Sequence, residues 1–119
     1  MVSQDVQIEF EPIPGQKRKI KTYNDKMILV ENSIKKGIEL KIHSHPSSQL
    51  LTYVVEGRLL ININGKEAIF AKGDSIIISE GIPHSAIALE ESYVLDFYVP
   101  PPLELLNLIE TYQKERDSL

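Results

Sequence analysis

The stretch HSHPSSQLLTYVVEG, His43 to Gly57, holds two of the three histidines in a chain of 119 residues. Side chains at i and i+2 on an extended segment project to one face, so His43 and His45 can both reach one ion. A polar turn would carry the same pair for no chemical reason. What decides between the two is the company the pair keeps along the rest of the chain.

Working outward, the periodicity is that of strands until very late. The expected strands are Val6–Phe10, Lys19–Tyr23, Met27–Glu31, Glu39–His43, Leu50–Glu56, Arg58–Ile63, Glu67–Phe70, Ser75–Ser79, Ser85–Leu89 and Tyr93–Val99. They are rich in Ile, Val and Tyr, which suit a pleated surface. Between them stand turn formers such as Lys36-Gly37, Glu56-Gly57, Lys72-Gly73-Asp74 and Glu80-Gly81. ININGKEAIF, Ile61 to Phe70, is the clearest hairpin, because Asn64-Gly65 supplies the positive φ angles of a tight primed turn. Many short strands at close, regular spacing imply a sandwich or barrel.

At VPPPLELLNLIETYQKERDSL the pattern changes. Three prolines end the last strand, and Leu103, Leu106 and Ile109, with Leu105, Leu108 and Tyr112, recur at helical spacing. A C-terminal helix over about 102–117 is expected, packed on the outside of the β-domain or on a partner subunit.

Composition excludes several classes of function. The chain is long enough for one core and too short for two, so residues 1–119 are read as a single domain. A net charge of −4 argues against nucleic acid or an anionic membrane surface as a partner. The one basic cluster, Lys17 to Lys21, follows Pro14-Gly15 and reads as a solvated loop leading into a strand. With no cysteine there is no disulfide, thiolate site or cysteine nucleophile. Neither a signal peptide nor a membrane-length apolar run is seen, and a cytoplasmic location is expected.

The third histidine, His84, follows the turn SEGIP and starts another expected strand. Three imidazoles at strand ends form a neutral donor set for a divalent transition metal: Zn, Ni, Mn, Fe or Cu. One conflict stands against this. In a regular strand from Ile38 to His45, Ile38, Leu40 and Ile42 face away from His43 and His45. Either the strand is bulged near Lys41, or the histidines lie on the wet outer face.

Both histidine segments resemble the paired motifs of the cupin superfamily. Motif one appears over 37–57 as Gly37-IELKI-His43-Ser44-His45-PSSQ-Leu50-LTYVVE-Gly57. Motif two appears over 73–88 as Gly73-Asp74-SIII-Ser79-Glu80-Gly81-Ile82-Pro83-His84, running on to Ala88. The resemblance implies an all-β, single-domain jelly-roll β-barrel, with the ligand site inside one mouth and a kink that turns both rings of the His-x-His pair inward. It also implies a homodimer, since cupins often pair through their sheets and N-terminal strands.

Departures from the family pattern matter as much. Counted back from Gly57, the position where cupins carry a ligand glutamate or glutamine is Leu50; counted forward from His45 by the shorter spacing it is Gln49. Neighbouring strand residues face opposite ways, so only one of them can look at the metal. Gln49 therefore joins His43, His45 and His84 as a candidate ligand. Motif two carries Ser79 in place of its proline, and Ala88 in place of its terminal Asn. Without a carboxylate the ion keeps its full +2 charge, which favours an anionic small-molecule ligand and leaves positions open for it.

LDFYVPPP, Leu95 to Pro102, resembles the segment D-x-F-x-P-P-R of small cupins that convert unsaturated uronates to their keto forms. Carried over, the pocket acid is Asp96, the aromatic is Tyr98, and the arginine is replaced by Pro102. Asp96 is a candidate general acid/base, since an acid in an apolar strand is costly to bury without purpose. Arg58 is an alternative anion anchor. The leading expectation is metal-assisted enolisation or isomerisation of a small sugar acid or keto acid, with Asp96 and Tyr98 catalytic. The alternatives are a non-catalytic ligand-binding or sensor cupin, and a cupin dioxygenase.

Overall fold

The structure is a computed structural model and describes residues 4–118. Residues 1–3 and Leu119, the ends of the expected 1–119 domain, lie outside the described residues. The strands are β1 (Gln4–Ile13), β2 (Gln16–Tyr23), β3 (Ile28–Ile34), β4 (Glu39–His43) and β5 (Gln49–Glu56), followed by β6 (Arg58–Ile63), β7 (Lys66–Ala71), β8 (Ser75–Ile78), β9 (His84–Ala88) and β10 (Ser92–Val99). One helix, α1 (Leu103–Asp117), closes the chain. Every expected strand is found, the largest change being β1, which runs several residues further at its C-terminal end.

Two antiparallel sheets face each other as a jelly roll. One has the order β1-β2-β3-β10-β5-β8, the other β4-β9-β6-β7. From β3 to β6 and again from β7 to β10 the chain alternates between the sheets, which brings the two histidine segments together as neighbours, β4 beside β9. The turns follow the residue types that make them. At the β6–β7 turn Asn64 has φ 51° and Gly65 φ 88°, the double positive φ of a primed turn. Gly57, between β5 and β6, has φ 94°, and a Cβ there would lie 2.6 Å from Glu91 O, so only glycine fits.

The large sheet keeps period-two alternation. Along β10, Ser92, Val94, Asp96 and Tyr98 are buried, while Tyr93, Leu95 and Phe97 are only part-buried. The same alternation buries Leu50, Thr52 and Val54 on β5 and Ile28, Val30, Asn32 and Ile34 on β3. Two apolar clusters result. Ile8, Ile20, Ile28, Val30, Leu50, Ile78 and Tyr98 pack with Leu105 and Ile109 of α1, and Ile34, Val54, Leu59, Ile61, Ala88 and Val94 form the other. Each fully buried side chain of this kind contributes about 1.5–3 kcal/mol.

The helix packs on the β-domain itself. Leu105 and Ile109 are buried, with Leu108 and Tyr112 against the same cluster, but Leu103, expected on the apolar stripe, is 71% exposed. The buried stripe runs through Leu105, Leu108, Ile109 and Tyr112, and Leu103, two residues before Leu105, lies roughly half a turn round the helix from it and points away from the core.

The basic cluster also departs from expectation. Lys17 to Lys21 is no loop but part of β2, and alternation turns Arg18 inward. Only 14% of its side chain is exposed.

Candidate metal centre and its cavity

The conflict in β4 is resolved by a bulge. Pairing with β9 shifts register between Leu40 and His43, next to Lys41, so that Leu40 packs on the second apolar cluster while His43 is cross-strand partner to His84. An extra residue in one strand reverses which side chains face inward. Ile42 is left outside, 71% exposed. Beyond the strand, Gly81 N donates to His45 O at 2.8 Å, tying the turn before His84 to the loop that carries His45.

The three imidazoles therefore converge. Ring centroids of His43 and His84 are 4.3 Å apart, those of His43 and His45 5.1 Å, and the donor atoms of all three lie within 4.8 Å of one another. His45 and His84 are buried and His43 is exposed at the mouth.

Each Nδ1 is occupied. His43 Nδ1 is 2.7 Å from Lys41 O and His84 Nδ1 is 2.9 Å from Ile82 O. A carbonyl only accepts, so these nitrogens carry the proton and the Nε2 lone pair stays free. His45 Nδ1 is 3.5 Å from Glu104 Oε1 at the start of α1. In contrast, His45 Nε2 and His84 Nε2 are buried without any hydrogen-bond partner. Buried polar atoms of this kind are rare and call for an explanation. A metal ion accepting both lone pairs is the explanation that the donor set fits, since structures of such sites pair the outer ring nitrogen with a carbonyl or carboxylate.

Electrostatics agree. Burial first, then the neighbouring His43, His84 and Arg18, lower the His45 pKa to about 4. Burial also lowers that of His84, partly opposed by its bond to Ile82 O. Both rings are neutral at pH 7, the form in which imidazole binds metal.

Gln49 does not join them. It is exposed at the start of β5 and lies with Met27, Leu51, Ile77, Phe97 and Val99 along the outer face of the large sheet. Leu50 is the inward residue, 5% exposed, and it lines the cavity beside the histidines. No bulge follows Pro46 to move the register: Gln49 pairs with Val99, and Leu50 with Tyr98 and Ile78. The ligand slot that Gln49 was expected to fill therefore holds an apolar side chain.

Behind the imidazoles the cavity has a volume of about 400 Å³. Leu50, Leu59, Ile61 and Val94 make its apolar wall. A polar stripe runs beside Leu50 and Val94 over four adjacent strands of the large sheet, because Arg18 is paired with Asn32 across β2 and β3, and Asp96 with Thr52 across β10 and β5. Asp96 is 5% exposed, not solvated at the rim. Thr52 Oγ1 donates to its Oδ1 at 2.8 Å, while Arg18 Nη2 at 3.2 Å and Asn32 Nδ2 at 3.3 Å donate to its Oδ2.

Arg18 Nη2 also donates to the Tyr98 hydroxyl at 2.8 Å, and the Tyr98 ring meets the edge of His45 at 5.1 Å. Burial, opposed by Arg18 and aided by Asp96, raises the Tyr98 pKa to about 12, so it keeps its proton. Burial alone would lower the Arg18 pKa, but Tyr98 and Asp96 outweigh it and hold the group above its ordinary value. Arg58, expected as an alternative anion anchor, is half exposed, 3.6 Å from Glu90, and takes no part in the cavity wall. Sequence reasoning overlooked Arg18. Its signal was the alternation Gln16, Arg18, Ile20, masked by the lysines on either side.

Two facing antiparallel sheets with three imidazoles converging inside one mouth define a class of small β-domain built around a ligand cavity. The Cupin domain family matches residues 31–99. The chain belongs to this family. It is 31% identical over 93 residues to pectin degradation protein KdgF of Dickeya dadantii (strain 3937), covering 77% of this chain and 84% of that protein. Among solved structures, KdgF from Halomonas sp. is 25% identical with a TM-score of 0.78, covering 82% of this chain and 90% of that one. An RmlC-like cupin from Shewanella frigidimarina NCIMB 400 shares the fold at 24% identity and a TM-score of 0.78, over 83% of this chain and 88% of that one.

Proposed function

We propose that this cupin is a metal-dependent enzyme acting on a small sugar acid or keto acid by keto–enol proton transfer. The observation that carries the reading is that buried Asp96 lines the same cavity as the converging imidazoles of His43, His45 and His84. The likeness to two KdgF proteins, one named for pectin degradation, supports a sugar acid as the ligand class.

His43, His45 and His84 would hold a divalent transition metal, which when bound supplies Lewis acidity at a carbonyl or enol oxygen. Asp96 takes the proton from the carbon beside that carbonyl and returns it at the other end of the enol. Its three donors hold the carboxylate in one position, so it needs no reordering during the transfer. Tyr98 accepts from Arg18 and stays protonated, so its own O–H is left to donate to a ligand oxygen. The apolar wall keeps water from competing for the enol.

The test is metal analysis of protein purified without an affinity tag, joined to an assay with an unsaturated uronate. Bound metal with turnover that Asp96→Asn abolishes is the expected result. Absence of metal, with no loss of Tm on chelation, overturns the reading; iron with oxygen uptake would redirect it to redox chemistry. Leu50 in the fourth ligand slot favours a second reading, a non-catalytic ligand-binding cupin, which predicts metal and ligand binding without turnover. Homodimerisation and a cytoplasmic location belong to the same proposal. Exposed Met27, Ile77 and Val99 on the outer face support the former, and a monomer in sedimentation would contradict it.

A further inference from the structure

Arg18, on β2, lies eight strands before the β10 segment where the resemblance puts a carboxylate-binding arginine, and that segment here ends in Pro102. Its guanidinium lies on the cavity wall, held by Asp96 and Tyr98 through Nη2 alone. A guanidinium carries five N–H donors, and Arg18 Nε is buried with no partner at all. Among the described cavity-lining residues the other cation is Lys41, which is exposed at the mouth. Asp96 already balances the Arg18 charge, so Arg18 alone does not draw an anion in. A directed donor with no acceptor is a different matter: it gives a carboxylate a fixed, charge-assisted contact that a neutral hydroxyl matches poorly.

We propose that Arg18 is the carboxylate anchor of this cavity, taking the acid group of a sugar acid or keto acid on its Nε edge while the ligand's carbonyl end points to the three imidazoles. This rests on the proposed function for the ligand class, and it assigns to β2 the contact that the C-terminal segment lacks. The guanidinium is pre-set for the task. Asp96 and Tyr98 fix its plane, and Phe10 and Tyr98 lie near it at 5.9 and 5.8 Å from the ring centroids to Cζ. The same guanidinium then touches the ligand, the general base and the hydrogen-bond donor, so a bound acid is placed in register with Asp96.

The chain has three arginines, Arg18, Arg58 and Arg116, so their Nε–H groups give three resolvable signals in a nitrogen-edited NMR spectrum. The probes are D-galacturonate and its neutral counterpart D-galactose, each titrated into metal-free and zinc-loaded protein. The expected result is a downfield shift of the Arg18 Nε–H with galacturonate and none with galactose, in both forms. Arg18→Lys keeps a cation beside Asp96 and so keeps the fold, but it lacks the Nε donor and binds galacturonate about tenfold more weakly. Arg18→Gln gives a larger loss, read only if its near-ultraviolet circular dichroism matches the wild type.

An unmoved Arg18 signal, equal response to both sugars, or Arg18→Lys affinity within twofold of wild type overturns the assignment. The proposed enzyme fails separately. Zinc that does not bind, or a uronate that binds at Arg18 without turnover, leaves the anchor standing and removes the catalysis.

Discussion

His45 Nδ1 lies 3.5 Å from Glu104 Oε1, so the first turn of the C-terminal helix reaches one of the two buried imidazoles of the candidate metal centre. His43 and His84 have only backbone carbonyls in that position. The domain has no carboxylate in the expected ligand slot, yet it brings one against the outer nitrogen of a candidate ligand. Outer carboxylates raise ligand basicity, and losing one weakens metal binding about 10- to 100-fold. Glu104→Gln is expected to weaken zinc affinity about tenfold in calorimetric titration while leaving the Tm of the metal-free protein unchanged. An unchanged affinity would make Glu104 a surface residue.

Leu50 and Gln49 give opposite expectations. Leu50→Glu places a carboxylate in the fourth slot, tightening metal binding and destabilising the metal-free protein by roughly 3 kcal/mol through an unpaired buried charge. Gln49→Ala leaves metal affinity as it is, because the side chain lies on the outer face. Parallel metal titrations and urea unfolding of the two variants check both, and a Gln49→Ala protein with impaired metal binding would contradict the register.

Asp96→Asn keeps the shape and removes the charge. Arg18 then lacks its counter-ion, and stability falls by about 3 kcal/mol, whereas Thr52→Val, which removes only one neutral donor, costs about 1 kcal/mol. Denaturant unfolding measures the difference. Equal effects would mean that the Arg18–Asp96 pair contributes nothing beyond a hydrogen bond.

The metal-free protein should lose stability in acid. His45 has a folded pKa of about 4 against an ordinary 6.5, so between those values the unfolded chain binds a proton that the native state refuses. The contribution is complete above pH 6.5 and is lost as pH falls towards 4, amounting to about 3 kcal/mol. His45→Asn should flatten this part of the stability–pH curve. Bound metal should leave this dependence in place, because a ligated His45 still refuses the proton that the unfolded chain takes up, until acid displaces the ion.

Gly57→Ala places a Cβ 2.6 Å from Glu91 O and from Ser92 Cα at a backbone with φ 94°. A loss of about 2 kcal/mol or more is expected in thermal unfolding. Gly65→Ala meets no atom within 4 Å and differs from it by bearing the φ strain alone, so its loss should be smaller.

The strands, the Asn64-Gly65 hairpin and the C-terminal helix were legible in the sequence because they depend on side-chain period and on backbone freedom, which are local. The histidine set was legible for a different reason: spacing within each motif, and the resemblance of both motifs to one family, pointed to a common site. Which of Gln49 and Leu50 faces inward was not, because the two differ by a single residue of register and only pairing with β8 and β10 settles it. Leu103 went astray likewise, because it lies roughly half a turn round α1 from the buried stripe. Arg18 shows the limit most plainly. From sequence it was one charge among lysines, and its role follows from β2 lying beside β3, with β10 the next strand across, a neighbourhood set by long-range strand order. Local chemistry determined the elements and the ligand candidates; only the tertiary fold decided which side chains share the cavity, because that is fixed by contacts between residues up to 80 positions apart.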